Sequence, residues 1–188
     1  VSYRRDDTQG EAGHLLADLR RRFGDERVFM DIAGIGPGEE FGQAIERAIA
    51  GCSVILVLIG RTWIEARDAQ GQRRLNDPND WVRLEVQAAL QGQRLVIPVL
   101  VQGAAMPAEH DLPESMRPLA RRNAHEMSAR RWDFDFDSLA QTLETALGMP
   151  APDAAGAPAP AAKSGTDSRQ PARLLWPVAA IVTVALAL

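Results

Sequence analysis

Cysteine is almost absent from this chain, and aromatic residues are scarce. The single cysteine, Cys52, excludes an internal disulfide and favours a reducing compartment. Aromatic residues make up only 5% of the sequence, although hydrophobic residues reach 46%, which is ample for a core. The formal net charge of −4 gives no electrostatic basis for nucleic-acid binding. We therefore expect a globular domain that does not bind nucleic acid.

Metal-binding patterns are lacking as well. The histidines are scattered along the chain without the spacing of a ligand set, at His14, His110 and His125. Three alternating aspartates, Asp133, Asp135 and Asp137, lack the rest of a calcium loop. We therefore predict no metal site.

Composition divides the chain near residue 149. Residues 150–173 are dominated by Ala and Pro without hydrophobic periodicity, which predicts a disordered linker. Residues 174–188 carry no charge, but these 15 residues are fewer than the roughly 20 that cross a bilayer. We interpret them as the start of a transmembrane helix that continues beyond Leu188; a hydrophobic tail or a core helix of another domain is the alternative. Arg169 and Arg173 precede this segment, so the positive-inside rule predicts a single-pass membrane protein with its domain in the cytoplasm.

Strand-like and helix-like segments alternate within residues 1–149. Predicted strands cover residues 1–3, 28–30, 53–59, 95–101 and 124–127, and predicted helices cover 11–23, 39–50, 81–91, 114–121 and 136–147. This alternation predicts an α/β fold with an open parallel sheet and helices on both faces. Ligands of such sheets bind beyond the carboxyl ends of the strands. Those ends include the loop after Asp31 and the polar segment 60–80.

The segment Asp80-Trp81-Val82-Arg83-Leu84-Glu85 opens a predicted helix directly after that polar segment. Its spacing places Trp81 and Glu85 on one face, one turn apart. A flat ring beside a carboxylate suits a site that stacks a planar ligand and stabilises positive charge on a sugar. The alternatives are a core aromatic for Trp81 and a solvated helix glutamate for Glu85.

Several segments, taken in order, resemble those of Toll/interleukin-1 receptor (TIR) domains. They are Val-Ser-Tyr-Arg-Arg-Asp-Asp at 1–7, Val-Phe-Met-Asp at 28–31, Ile-Gly-Pro-Gly at 35–38 with Phe41, the apolar strand 53–59, Asp-Trp-Val-Arg-Leu-Glu at 80–85 and Val-Ile-Pro-Val-Leu at 96–100. The segment before Trp81, Arg-Leu-Asn-Asp-Pro-Asn-Asp at 74–80, resembles that of a bacterial member. The resemblance implies a flavodoxin-like, five-stranded parallel sheet in a TIR domain spanning residues 1–149.

TIR domains have two activities of different classes. Many are adaptors that act by TIR–TIR association, whereas others hydrolyse NAD⁺ at the nicotinamide–ribose bond, giving linear or cyclic ADP-ribose. The hydrolases need a glutamate on the helix after the third strand, and Glu85 matches it. The resemblance therefore implies an NAD⁺ nucleosidase activated by self-association, with NAD⁺ as substrate and no separate cofactor. The alternatives are a non-catalytic adaptor and a nucleotide-binding sensor without turnover.

The chemistry of NAD⁺ cleavage is compatible with one carboxylate. Nicotinamide leaves as a neutral molecule, so the acid that protonates the leaving group in ordinary glycosidases is not needed. An ionised Glu85 beneath the ribose would stabilise the oxocarbenium-like charge as it develops.

Further positions complete the predicted site. Trp81 is expected to stack on the nicotinamide or the ribose, and Phe41 and Asp31 match pocket-lining positions of family hydrolases. Arg4 and Arg5 are expected to meet the pyrophosphate or the ribose, with a surface pair as the alternative. Phe41 could equally be core, and Asp31 could order the turn after it. The loop at Ile35, Gly36, Pro37 and Gly38 is predicted to gate the pocket and pack against a second TIR copy, or to be a simple glycine-rich connection.

Overall fold

The computed structural model describes residues 1–29, 49–92, 94–149 and 180–182, with the backbone alone at Phe29 and at 180–182. Its α-helices with both ends described are α1 (Arg5–Phe23), α2 (Trp81–Gln91) and α3 (Trp132–Ala146). Its strands are β1 (Val28–Phe29), β2 (Cys52–Ile59), β3 (Leu95–Leu100), β4 (His125–Glu126) and β5 (Ala180–Val182). The order of strands in the sheet is β1-β5-β2-β3-β4.

Two buried strands at the middle of the sheet determine its architecture. β2 and β3 are parallel, and their register runs from Val54 opposite Leu95 to Ile59 opposite Leu100. Alternate side chains of β2 enter two different apolar clusters because successive residues of a strand point to opposite faces. One cluster contains residues of α1 and α3, and the other contains residues of α2. The predicted α/β fold, with a parallel sheet and helices on both faces, is confirmed.

Two segments from opposite ends of the described chain share one strand position in the sheet, between β1 and β2. Ser2 donates its N–H to the Leu56 carbonyl (2.8 Å) and accepts from the Leu58 N–H (2.7 Å), forming an isolated bridge. β5 occupies the same strand position beside the first half of β2, and it pairs parallel with both β1 and β2. The predicted first strand, residues 1–3, is therefore a single bridge, and Ala180–Val182 form the rest of this strand position.

The described part of the predicted transmembrane segment is a strand and not a helix. Ala180–Val182 include two β-branched residues, and they lie where backbone groups of β1 and β2 offer hydrogen bonds. Within the described ranges, no helix has the length and apolar character needed to cross a membrane. The linker prediction for 150–173 falls outside the described residues. The predicted membrane location and cytoplasmic domain stay predictions.

Helix boundaries differ most from the sequence-based expectation at α1 and α3. α1 begins at Arg5 rather than residue 11, with Asp6 and Asp7 in its first turn, where the helix dipole favours negative charge. α3 begins at Trp132, four residues before the predicted start. The predicted helix 114–121 is a 3-10 segment containing Pro118, which lacks the N–H that a regular α-helix would use.

The loop after β2 is held against the first turn of α1. Asp7 accepts hydrogen bonds from the N–H of Gly60 (2.9 Å), the N–H of Thr62 (2.9 Å) and the hydroxyl of Thr62 (2.7 Å). A side chain at Gly60 has no room, because its Cβ would overlap the Asp7 carboxylate and the Thr8 methyl group. This contact fixes the loop that leads toward the candidate site.

We predict that Gly60→Ala lowers the free energy of unfolding by about 1–3 kcal/mol, because the added methyl group must displace Asp7 or Thr8. Gly13→Ala is the matched control, since no atom lies within 4 Å of its Cβ and alanine favours a helix. That control is expected to gain about 0.5–1 kcal/mol. Urea unfolding of both variants checks the pair, and equal effects would contradict the close approach at Gly60.

Candidate functional site

Helix α2 begins at a buried carboxylate. Asp80 caps the helix by accepting the backbone N–H of Arg83 at 3.0 Å, which satisfies one of the free donors of the first turn. Two guanidinium groups meet the same carboxylate: Arg4 and Arg74, whose Nε lies 3.3 Å from Asp80 Oδ2. The Asp80 carboxylate therefore joins the start of α2 to both arginines.

Arg4 forms a bidentate ion pair with Asp80. Its Nη1 and Nη2 donate to the two carboxylate oxygens at 3.0 and 2.9 Å, and both side chains are 2% exposed. Its Nε donates to the carbonyl oxygen of Trp63 at 3.1 Å. The alternative of a surface pair at Arg4 and Arg5 is therefore wrong for Arg4. Its predicted contact with the substrate stays a prediction, and its observed partners are protein groups.

Glu85 lies on the inner side of α2, five residues after the cap. It is 2% exposed, so the alternative of a solvated helix glutamate is wrong. The carboxylate predicted to be catalytic is thus held inside the protein.

Trp81, one turn before Glu85, is half-buried at the first position of the helix. It packs against the apolar cluster that contains Trp63 and Leu75 on the α2 face of the sheet. The ring therefore contributes to the core and also keeps part of its surface accessible. Arg5, the other predicted arginine, is partly exposed at the first position of α1.

The remaining predicted site residues lie outside the described residues. They are Asp31, Ile35, Gly36, Pro37, Gly38 and Phe41. Their predicted roles in the pocket and in self-association stay predictions.

A cleft of about 460 Å³ lies beyond the carboxyl ends of β3 and β4. Its lining includes Arg61, Arg130 and Arg131, together with the turn around Gln102. Gln102 has a positive φ of 58°, and the carbonyl of this residue accepts Arg61 Nε at 2.6 Å. Neither Glu85 nor Trp81 lines this cleft, so it is separate from the predicted catalytic helix.

The described residues do not support a cysteine nucleophile or a metal centre. Burial raises the pKa of the Cys52 thiol to about 12, so this cysteine is not a thiolate nucleophile at neutral pH. In the part of the chain that the structure describes, no three His, Cys, Asp or Glu side chains group together to hold a metal ion. The absence of a metal site stays a prediction for the chain as a whole.

Comparison with known proteins identifies the family. A family model of the TIR domain matches residues 1–143, so the chain belongs to the TIR domain family. Its structure is similar to that of the TIR domains in the activated Roq1 resistosome, which directly recognizes the pathogen effector XopQ. The TM-score is 0.51 at 15% identity, with 78% of this chain and 96% of that chain covered. At that identity the likeness establishes the fold alone. No curated protein matches the chain.

The contacts of this site differ in how far the sequence predicts them. An aspartate directly before an apolar helix is a known N-cap signal, so the role of Asp80 in starting α2 could have been predicted. Its pairing with Arg4, 76 positions away, has no local signature. The same is true of the Trp63 carbonyl and of Arg74.

We predict that Asp80→Ala lowers the free energy of unfolding by about 3–5 kcal/mol, because it leaves the Arg4 guanidinium buried without its counter-charge. Glu109→Ala is the control, since Glu109 pairs with Arg121 on the exposed surface. That variant should unfold at the wild-type urea concentration, because exposed ion pairs contribute little. Equal losses in the two variants would contradict the structural role of the buried pair.

Proposed function

We propose that this TIR domain is an NAD⁺ nucleosidase that releases nicotinamide and ADP-ribose, with Glu85 as its catalytic residue. The observation that carries the proposal is the position of Glu85 one turn after Trp81, on a helix whose start is fixed by Asp80 and Arg4. Membership of the TIR family, which includes NAD⁺ hydrolases, supports it further.

The chemistry assigns separate tasks to the ring and the carboxylate. Trp81 offers a flat, partly exposed surface on which nicotinamide or ribose can stack. Glu85, in its ionised form, stabilises positive charge on the ribose as the bond to nicotinamide breaks. Water then adds to the ribose carbon and transfers a proton to solvent, which gives ADP-ribose. In the cyclic alternative, the adenine ring attacks the same carbon instead of water.

Burial of Glu85 supports control by self-association. A carboxylate that is 2% exposed cannot meet a ribose unless the groups that cover it move. We propose that contact between TIR copies, including the loop at Ile35, Gly36, Pro37 and Gly38, favours the open arrangement. The nicotinamide released per chain should therefore rise with protein concentration or with clustering on beads.

The alternative function is a non-catalytic adaptor that acts by TIR–TIR association. Burial of Glu85 also favours this alternative, because a carboxylate held inside the core can be purely structural. The solved relative is described as a resistosome, which is an assembly, and its TIR domains share the fold with this chain. A test of function therefore has to separate turnover from association.

We predict that Glu85→Gln lowers nicotinamide release from NAD⁺ by about 100-fold or more, because the neutral amide cannot stabilise the oxocarbenium charge. The measurement uses the purified chain clustered on beads, with released nicotinamide quantified by chromatography. Glu114→Gln is the matched control: it is the same change at an exposed glutamate and should leave release unaltered.

Association is measured in parallel by light scattering. Intact association with no release from the clustered wild-type chain would contradict the nucleosidase and favour the adaptor. In that case Pro37→Ala or Gly38→Ala should abolish association, while Glu85→Gln should leave association unchanged.

A further inference from the structure

The start of α2 is more strongly tied to the rest of the protein than a helix cap requires. One side-chain oxygen that accepts a backbone N–H is sufficient for a cap, and Asp80 supplies it to Arg83. The same carboxylate also receives two hydrogen bonds from Arg4 and lies beside Arg74. We call these three side chains, together with the Trp63 carbonyl, the Arg4–Asp80 cluster.

The hydrogen bonds of Arg4 fix the orientation of its guanidinium relative to Asp80. Its planar guanidinium presents a fork to both carboxylate oxygens, while its Nε is fixed by the carbonyl of Trp63. Trp63 is fully buried in the loop after β2, and Arg4 directly precedes α1. The cluster therefore ties Asp80, the N-cap of α2, to the segment before α1 and to the loop after β2. A single-point charge such as lysine cannot reproduce both contacts.

Stability alone is a weak explanation for a buried ion pair. Removing two charges from water is costly, and well-packed neutral side chains often replace such pairs without loss of stability. The fixed, bidentate geometry instead specifies where the helix begins and how it is rotated about its axis. Trp81 follows the cap directly, and Glu85 lies five residues beyond Asp80, which is about 7.5 Å along the helix axis.

We propose that Arg4 and Asp80 are positioning residues, which set the rotation and axial position of α2 so that Trp81 and Glu85 meet the substrate together. This proposal rests on the proposed nucleosidase function. It also changes the role expected for Arg4, which acts through Asp80 rather than by binding phosphate. A small displacement of a reacting group lowers turnover strongly, so loss of the cluster should act mainly on kcat.

The test uses the double variant Arg4→Met with Asp80→Asn in the complete 188-residue chain. This variant removes both fully buried charges together. Arg74 loses its contact with the Asp80 carboxylate, but its side chain is partly exposed and keeps the ion pair with Asp6 (3.7 Å). Asparagine keeps an oxygen that can cap the Arg83 N–H, so the helix is expected to form. The matched control is Arg22→Met with Glu144→Gln, which removes the ion pair (2.7 Å) that joins α1 to α3. Neither control residue belongs to the candidate site.

Four quantities are measured for each protein: kcat and KM with NAD⁺ on beads, the melting temperature, and the hydrogen-exchange rates of the α2 amides. The Arg4/Asp80 variant should remain folded, lose about tenfold to 100-fold in kcat with little change in KM, and exchange faster in α2. The Arg22/Glu144 variant should keep wild-type kcat and wild-type α2 exchange at a comparable melting temperature. Arg4→Lys should resemble the Arg4/Asp80 variant.

A folded Arg4/Asp80 variant with wild-type kcat and wild-type α2 exchange would overturn the positioning role. Equal losses of kcat in both double variants would also overturn it, because they would reflect stability alone. If the wild-type chain releases no nicotinamide, the proposed function fails. Hydrogen exchange then tests, without any measurement of activity, whether Arg4 and Asp80 hold α2 in position. Unchanged α2 exchange in the Arg4/Asp80 variant would in that case reject the positioning role as well.

Discussion

The buried ion pair between Arg4 and Asp80 is the interaction on which the candidate site depends. It joins the segment before α1 to the start of α2, with both side chains 2% exposed. In such surroundings an unpaired charge is costly, so the two residues must be present together. The position of α2, and with it that of Trp81 and Glu85, follows from this pair and from the packing of α2 on the sheet.

The sheet supplies the second constraint. Its central strands are covered on both faces, so α2 packs on one side while α1 and α3 pack on the other. Glu85 points inward from α2, which accounts for its burial. A buried acid on a helix with an anchored start is compatible with chemistry that is switched on by association. In the function proposed above, the anchored end stays in place while contact between TIR copies moves the groups that cover the carboxylate.

Regular elements with a strong local signal were the most predictable part of the fold. The continuous apolar runs of β2 and β3 were each placed to within one residue, and α2 was placed with the observed ends. Residues 11–23 also fall inside the observed α1. The polar, glycine-containing first turns of α1 gave no apolar periodicity, so its start at Arg5 was missed. The start of α3 was missed because the polar residues among its first four broke the same pattern.

Long-range contacts had no local signal. The pairing of Arg4 with Asp80 depends on the folded chain. From the sequence, Arg4 is instead expected to contact the pyrophosphate or the ribose of the substrate. The apolar residues at 180–182 were predicted as a helix because composition alone cannot distinguish a membrane segment from a strand. The glutamate on α2 was found because a family resemblance marked Glu85, whereas its burial depended on packing.

The most direct test of this account is a crystal structure of the Glu85→Gln protein with NAD⁺ bound. We predict that the nicotinamide ring lies against Trp81 and that the ribose carbon bonded to it lies about 3–3.5 Å from the side chain at position 85. NAD⁺ bound instead in the cleft among Arg61, Arg130 and Arg131, with α2 unoccupied, would contradict it.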